Sequence, residues 1–530
     1  YDWKDAMNKK ILLTTIHRPL GINTESCTKN IQGEMYHAQV TMAQEAFSIR
    51  ALCTGWGLEL IAANLNTPTT VLHYPTKRIF LKELRNGYDY VGISFVICTF
   101  PKAIELCELV RREAPQTKIV LGGYGTVLKE CDKYADYVCR EEGTNFFKRI
   151  IGEKKTKTFT VPSIKRSLRV LSVSTQPEGI VPTGLGCSRG CDFCCTSHFF
   201  NRKYYPLLQT GREIYNAICS IDFGKNSFRN IAIIDEDFLT DRKKIMEMAQ
   251  LNAQEIDKPI MFSCLTSLKS LSQYTIEELL SMGLSGVWVG VESRKANYPK
   301  LKKINVPRMI TQFKNAGINV LTSMILGYDW HDKNTIEEDF QYLLSLKPTL
   351  SQFMIYSPCP QTPLYDRMEK ENRLLDISYK FHDGFHVLFK HPHFTPKELE
   401  ILIMKLFQRE YEELGPSIFR VLEVQLKGYQ YLAYSPNPLF RARAKIHERL
   451  CLEIYPLLKL GIKKAPSQKV KEYLKDLREQ IESQFHISAS EKFKEYLVPF
   501  FHYYTIHRDK FSFFQQPRTE ISRYHFNKEI

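Results

Sequence analysis

What this chain lacks narrows it first. No stretch approaches the roughly 18 consecutive apolar residues of a membrane-spanning helix. The opening YDWKDAMNKK leads only into the short apolar stretch ILLTTI, too brief for the core of an export signal. The first residue is Tyr rather than Met, which leaves open a trimmed or preceding targeting segment. There is no GxGxxG to mark a dinucleotide-binding turn. With 26 Gly and 25 Pro in 530 residues, collagenous and low-complexity chains are excluded as well. Most of the 14 Cys stand singly inside apolar runs, as free thiols do in a reducing, cytoplasmic compartment.

What is present is an ordinary globular composition, long enough for two or three domains at roughly 100–200 residues each. The net charge of +15 admits nucleic acid, an anionic membrane or an anionic substrate as partner. The basic clusters RKKIM, LKKIN and RARAKIHER are short and interrupted, a pattern of solvated helix faces rather than of a phosphate-tracking groove.

From Lys9 to about Gly152 the runs ILLTTI, TTVLHY, DYVGISFV, KIVLGG and ADYVCRE have strand length and are rich in β-branched residues. GLELIAANL, RIFLKELRN, FPKAIELCELVRRE and NFFKRIIGE lie between them with helical spacing. This alternation predicts a doubly wound parallel sheet, whose ligands sit beyond the carboxyl ends of the strands. The loops to inspect are His17–Gly21, Ser94–Thr99, Gly122–Thr126 and Glu142–Thr144, including Gly143. The pair Gly122–Gly123 allows a bulky ligand close to the backbone, although tight turns alone would also explain it.

One cysteine cluster differs from the rest: GLGCSRGCDFCC sets Cys187-x3-Cys191-x2-Cys194, with Cys195 adjoining. Three thiolates on one loop can hold an iron–sulfur cube and leave its fourth iron open, and Gly186 and Gly190 suit the tight turn. A zinc knuckle would need a fourth ligand such as Cys195 or His198.

With Phe193 before the third cysteine, this spacing resembles the cluster loop of the radical S-adenosylmethionine (SAM) superfamily. That family's partial (β/α)6 barrel has counterparts here in IVPT, NIAIIDEDF, IMFSCLTS, LSGVWVGVES, INVLTSMILG and LSQFMIYSPCPQTPLY, over about residues 172–370. The resemblance assigns Cys187, Cys191 and Cys194 to a [4Fe-4S] cluster. It assigns Asp235, Glu236 and Asp237 to the SAM ammonium, Glu292 to the ribose hydroxyls, and the segment from Ser323 to Gly327 to the adenine. PCPQTPLY resembles the family's P-x-P-G-T-P-L-Y, with Gln361 in place of Gly.

An α/β domain ahead of such a barrel resembles the cobalamin-binding class, and DYVGISFVICTFPKAIELCELVRREAPQTKIVLGGYGTV is especially close to it. Ser94, Thr99, Gly122, Gly123, Glu142 and Gly143 become its candidate cobalamin contacts. Other B12 proteins supply a cobalt ligand from D-x-H-x-x-G. Here Thr15-Ile16-His17-Arg18-Pro19-Leu20-Gly21 lacks the Asp and has one residue too many, so a cofactor without a protein ligand is preferred to His17.

The expected organisation is therefore a cobalamin domain over residues 1–155, a radical SAM barrel over 156–375 and a helical domain over 376–530. The last holds 15 of the 32 Phe and 9 of the 14 His, and its tail PFFHYYTIHRDKFSFFQQPR interleaves aromatic and basic residues. Core helices and a docked tail account for this; the alternatives are a hydrophobic substrate pocket or peripheral membrane contact. The insertion from Ile22 to Trp56 matches nothing.

The resemblance implies methyl transfer to an unactivated carbon. A 5′-deoxyadenosyl radical removes hydrogen and methylcobalamin delivers the methyl group, with electrons from an external donor such as flavodoxin or ferredoxin. Ring or carbon–carbon bond formation, as in anaerobic porphyrin cyclases, is the alternative within the class. A tRNA methylthiotransferase would carry three further N-terminal cluster cysteines, and a B12 sensor or electron carrier would not need the SAM-contacting acids. The aromatic tail favours a lipid, isoprenoid or tetrapyrrole over nucleic acid as partner.

Overall fold

The computed structural model describes residues 9–21, 39–51, 55–226, 228–296, 298, 300, 304–509 and 516–525. Most of the Ile22–Trp56 insertion, and residues 510–515 of the tail, lie outside them.

The first sheet follows from the apolar runs. Its parallel strands stand in the order Thr69–His73, Ile11–Thr15, Tyr90–Ser94, Lys118–Gly122, Tyr137–Val138. Side chains such as Leu12, Val91 and Ile119 are fully buried because helices cover both faces. Trp56–Asn64 and Gly143–Ile151 pack on one face with Leu13 and Val120, whereas Lys77–Leu84 and Phe100–Glu113 pack on the other with Leu12 and Leu121. A sixth strand, Glu520–Tyr524, lies antiparallel along Thr69–His73, with Ile521 opposite Leu72. The tail region read as wholly helical thus ends by completing the first sheet. Arg523 secures it by pairing with the buried Glu83 at 3.0 Å.

The second sheet has eight strands. Six are parallel and consecutive, as a partial barrel requires: Val173–Pro182, Arg229–Ile234, Ile260–Leu265, Leu284–Glu292, Asn319–Leu326 and Leu350–Ile355. Helices between them, such as Arg242–Asn252 and Ile276–Met282, bury Ile245, Met248, Leu279 and Leu280 against the strands. Ile164–Val170 precedes the barrel as an antiparallel hairpin partner. Arg50–Ala51, inside the unassigned insertion, extends that edge.

From Pro396 onward helices dominate. Pro396–Leu414, Ser417–Leu432, Pro438–Ile454, Gln468–Gln484 and Ala489–Asp509 cover one end and one flank of the barrel. Gln44 joins the insertion to them, donating to Ser417 Oγ at 2.8 Å and accepting from Ser417 N at 2.9 Å.

The carboxyl ends of the two sheets face each other. Tyr124, after the Gly122–Gly123 turn, meets Phe199 and Phe200 edge-on at 5.2 and 6.3 Å. Tyr379 donates to Glu130 at 2.6 Å across the same seam.

Candidate functional site

The cluster loop begins where the first barrel strand ends. Gly186 has φ +78°, and a Cβ there would lie 2.3 Å from Lys203 O, so the turn excludes a side chain. The loop then folds onto the short helix Cys195–Phe199. Ser197 Oγ donates to Cys187 O at 2.6 Å and accepts from Gly190 N at 3.2 Å, while His198 Nε2 contacts Cys191 O at 3.1 Å. Two carboxylates fix it to the barrel. Arg189, between the first two cysteines, pairs with Asp237, and Asp192 accepts from Tyr298 at 2.9 Å and from Tyr356. Phe193 packs edge-on against those two rings.

Cys187, Cys191 and Cys194 line one side of a cavity of about 670 Å³ inside the barrel mouth. Among the described residues, no three metal-binding side chains converge on a single point. Three thiols on one loop are the donor set a cube takes, one on each of three irons with the fourth left open. Of the candidate fourth zinc ligands, His198 is turned to the Cys191 carbonyl, and Cys195 lines the cavity while packing with Cys359 beside Phe199 and Phe200.

The acidic segment divides its labour. Asp235 is buried and accepts from Thr183 at 2.8 Å and Tyr204 at 2.7 Å; burial raises its pKa, and it does not line the cavity. Asp237 lines the cavity but is occupied by Arg189, Thr266 Oγ1 (3.0 Å) and Ser267 N (2.8 Å). Burial opposes its ionisation, but these donors outweigh burial and lower its pKa. Glu236 alone faces the cavity without such a network. Burial, reinforced by Asp235, pushes it up to about 7, opposed by a hydrogen bond from Tyr124 of the first domain.

Glu292 ends the fourth strand in the left-handed region, φ +61°, where the ladder to the next strand also slips. Non-glycine residues in that region carry strain and concentrate at functional sites. Its carboxylate enters the cavity beside Lys300, whose Nζ donates to Oε1. Ser323 lines the cavity and stands between the Trp288 indole and Gln352, each at 2.7 Å. Gly327 lies outside it, its N–H donating to His331 Nδ1 at 3.1 Å. Gln361 adopts φ +68°, a conformation that favours glycine, and donates to Val127 O at 3.3 Å.

The first domain contributes in two places. Val96, Ile97 and Cys98 line the large cavity. A smaller cavity of about 160 Å³ lies among the strand ends and includes Ser94, Gly122, Gly123, Glu142 and Gly143, with Tyr124 shared between the two. A Cβ on Gly122 would meet only Cys139 at 4.0 Å. On Gly123 (φ +89°) it would lie 2.5 Å from Phe95 O. Glu142 also caps the following helix, accepting from Thr144 N at 2.5 Å and Asn145 N at 2.9 Å.

Two of the cobalamin candidates line neither cavity. Thr99 closes its own turn, its hydroxyl donating to Val96 O at 2.9 Å and accepting from Val96 N at 3.1 Å. His17 is buried, with Nδ1 3.1 Å from Arg18 O and Nε2 3.1 Å from Glu105. Both of its ring nitrogens are therefore engaged.

The sequence reading did not single out Arg189, Asp192, Tyr124 or Lys300. Arg189 and Asp192 are charged residues inside the cysteine motif, and each needed a partner once the loop was buried. Tyr124 directly follows the glycine pair.

No family model matches the chain. It is 23% identical to an uncharacterized methyltransferase of Pyrococcus horikoshii over 238 residues, 44% of this chain and 50% of that one. It is 21% identical to the anaerobic magnesium-protoporphyrin IX monomethyl ester cyclase of Cereibacter sphaeroides over 355 residues, 61% of this chain and 55% of that one. With the hopanoid C-2 methylase of Rhodopseudomonas palustris the identity is 24% over 209 residues, 37% of this chain and 39% of that one. The chain thus spans about half the length of the curated relatives it matches. Among solved structures, the radical SAM methyltransferase TsrM from Kitasatospora setae, with cobalamin and a [4Fe-4S] cluster bound, superposes with TM-score 0.54 at 12% identity. The match covers 84% of this chain and 99% of that one. The same enzyme with tryptophan substrate and a SAM analogue gives TM-score 0.54 at 13% identity, over 83% and 99%.

Proposed function

We propose that this chain, by fold and by its sequence relatives a member of the cobalamin-dependent radical SAM superfamily, methylates an unactivated carbon of a hydrophobic or amphiphilic small molecule. One observation carries the reading. A single cavity is lined by Cys187, Cys191, Cys194, Glu236 and Glu292 of the barrel together with the strand-end loop Val96–Cys98 of the first domain. Two cofactors held by the two domains at this cavity would share one substrate.

In this reading the three thiols hold the [4Fe-4S] cluster and leave one iron for SAM. Glu236 receives the SAM ammonium, Glu292 the ribose hydroxyls, and Ser323 lies toward the adenine. Ser94, Gly122, Gly123, Glu142 and Gly143 bracket cobalamin at the strand ends. The cofactors supply a SAM-derived radical that removes hydrogen and a cobalt-bound methyl group. The chain's own work is to fix their separation and keep water out. Tyr124 is placed for this, because it borders both cavities. Reducing electrons come from a flavodoxin- or ferredoxin-type donor.

The cyclase relative is matched over a larger share of this chain than either methylase, and this supports a second reading, ring or carbon–carbon bond formation without methyl transfer. Anaerobic turnover with SAM carrying a labelled methyl group separates the two. Label in the product supports methyl transfer. Product that has lost hydrogen and gained no label supports cyclisation, and neither product with intact cofactors overturns both.

A further inference from the structure

The barrel lumen is divided into two storeys. Near the carboxyl ends of the strands, Leu265, Trp288, Gly290, Ser323 and Gln352 line the cluster cavity. One inward layer down, Met261, Ser263, Gly286, Asn319 and Leu350 line a separate chamber of about 730 Å³. The series Trp288–Ser323–Gln352 lies between them. The lower chamber is closed by the C-terminal helices through Ile418, Val421, Leu450, Ile454, Val498 and Phe501. Its walls are chiefly aliphatic and aromatic, and its volume falls within the ~300–1,000 Å³ of small-molecule sites.

The helix Ala489–Asp509 borders this chamber and has two apolar faces. Val498 and Thr505 turn inward and are buried. Phe493, Tyr496, Leu497, Phe500, Tyr503 and Tyr504 recur at three- and four-residue spacing on the outside, 41% to 73% exposed. Leu497 also lines the chamber, as does Val173, itself 46% exposed, so the chamber mouth opens beside the aromatic face. Lys494 stands at that mouth, and Lys459 lies 5.0 Å over the Tyr496 ring. Lys492 is exposed on the helix itself.

We propose that this chamber takes the hydrocarbon chain of a bilayer lipid, admitted through a mouth that the helix Ala489–Asp509 lays against an anionic membrane surface. A face of Phe and Tyr bordered by lysines matches the interface between acyl chains and anionic headgroups: the rings enter the boundary and the ammonium groups remain among the phosphates. The inference goes beyond the methyl-transfer reading and does not depend on it, because the chamber lies outside the cluster cavity and its test needs no turnover.

The test uses the full chain and two probes. Sedimentation with vesicles of phosphatidylcholine, with and without phosphatidylglycerol, reads the surface; uptake of the fluorescent fatty acid cis-parinaric acid reads the chamber. Expected are salt-sensitive sedimentation with the phosphatidylglycerol vesicles, reduced about tenfold or more by Phe500→Glu or Tyr503→Glu, and uptake reduced about tenfold by Val421→Trp with sedimentation unchanged. Leu450→Trp fills the same chamber from another helix, so a Val421→Trp chain that fails to fold leaves the test intact. Absence of sedimentation with anionic vesicles overturns the proposal. So does wild-type uptake that is absent, or that both Trp variants leave unchanged. A solution dimer abolished by Phe500→Glu, in a protein that ignores vesicles, overturns it in favour of a second copy.

Discussion

Arg189 places Nε and Nη2 on Asp237 Oδ2, at 2.7 and 2.6 Å, and so ties the cysteine loop to the end of the second barrel strand. The same guanidinium donates to Ser267 and Ser270, each at 2.8 Å, so one side chain joins three segments of the barrel mouth. Removing it leaves a buried carboxylate short of its charged partner, a loss of about 1.5–3 kcal/mol for a hydrogen bond to a charged group. Arg189→Ala is expected to assemble the cluster but release its iron to a chelator several-fold faster, measured as absorbance loss under anaerobic conditions. Asp237→Asn should behave similarly, and equal release rates for both variants and wild type would remove the pair from the cluster's support.

The three cysteines and their neighbour separate cleanly. Replacing Cys187, Cys191 or Cys194 with Ala should abolish the broad cluster absorbance near roughly 400 nm and SAM cleavage together. Cys195→Ala should retain both, since that side chain packs with Cys359 beside Phe199 and Phe200. Complete cluster loss in Cys195→Ala would refute the assignment.

Gly122 gives a sharper test of the cobalamin site than Gly123. A side chain at Gly123 is strained by its backbone whatever the ligand, whereas a Cβ at Gly122 has room. Gly122→Leu should therefore fold normally and weaken cobalamin binding by about tenfold or more, read by equilibrium dialysis; unchanged binding would move the cofactor elsewhere. His17→Ala should leave the electron paramagnetic resonance signal of bound cob(II)alamin unaltered. A lost nitrogen hyperfine pattern would instead establish His17 as the lower ligand.

His447 makes the helical region acid-sensitive. It is fully buried, with Nδ1 2.7 Å from Gln425 Oε1. Burial, assisted by the Arg443 guanidinium, holds its pKa down at about 3, against 6.5 for a free histidine. Between these values the unfolded chain binds a proton that the folded chain refuses. Its contribution is thus complete above about pH 6.5 and declines as the pH falls toward 3, by up to a few kcal/mol. His447→Gln should flatten the fall in urea midpoint from pH 6.5 to 4 relative to wild type. Parallel curves would show that the imidazole titrates normally.

The barrel was legible because parallel strands buried on both faces appear in sequence as unbroken apolar runs, and because the three thiols lie on one short loop. The division among Asp235, Glu236 and Asp237 was not, since it depends on which way each consecutive side chain turns and on Tyr204 and Arg189 arriving from elsewhere. Thr99 and His17 lie on strand-end loops, but the Thr99 hydroxyl closes its own turn and both His17 ring nitrogens are engaged by Arg18 O and Glu105, which spacing alone does not reveal. Arg50–Ala51 is too short to leave a periodic signal. EISRY carries two charges in five residues, and its partner strand is some 450 residues earlier in the chain.

That closing strand bears on the order in which the protein can be made. During synthesis the first sheet emerges with Thr69–His73 as an open edge, and the segment that covers it follows some 450 residues later. An excised piece ending near residue 155 would therefore present unpaired backbone groups along that edge, an invitation to pair with another chain. Adding the Glu520–Tyr524 segment to such a piece by a linker would restore the missing border.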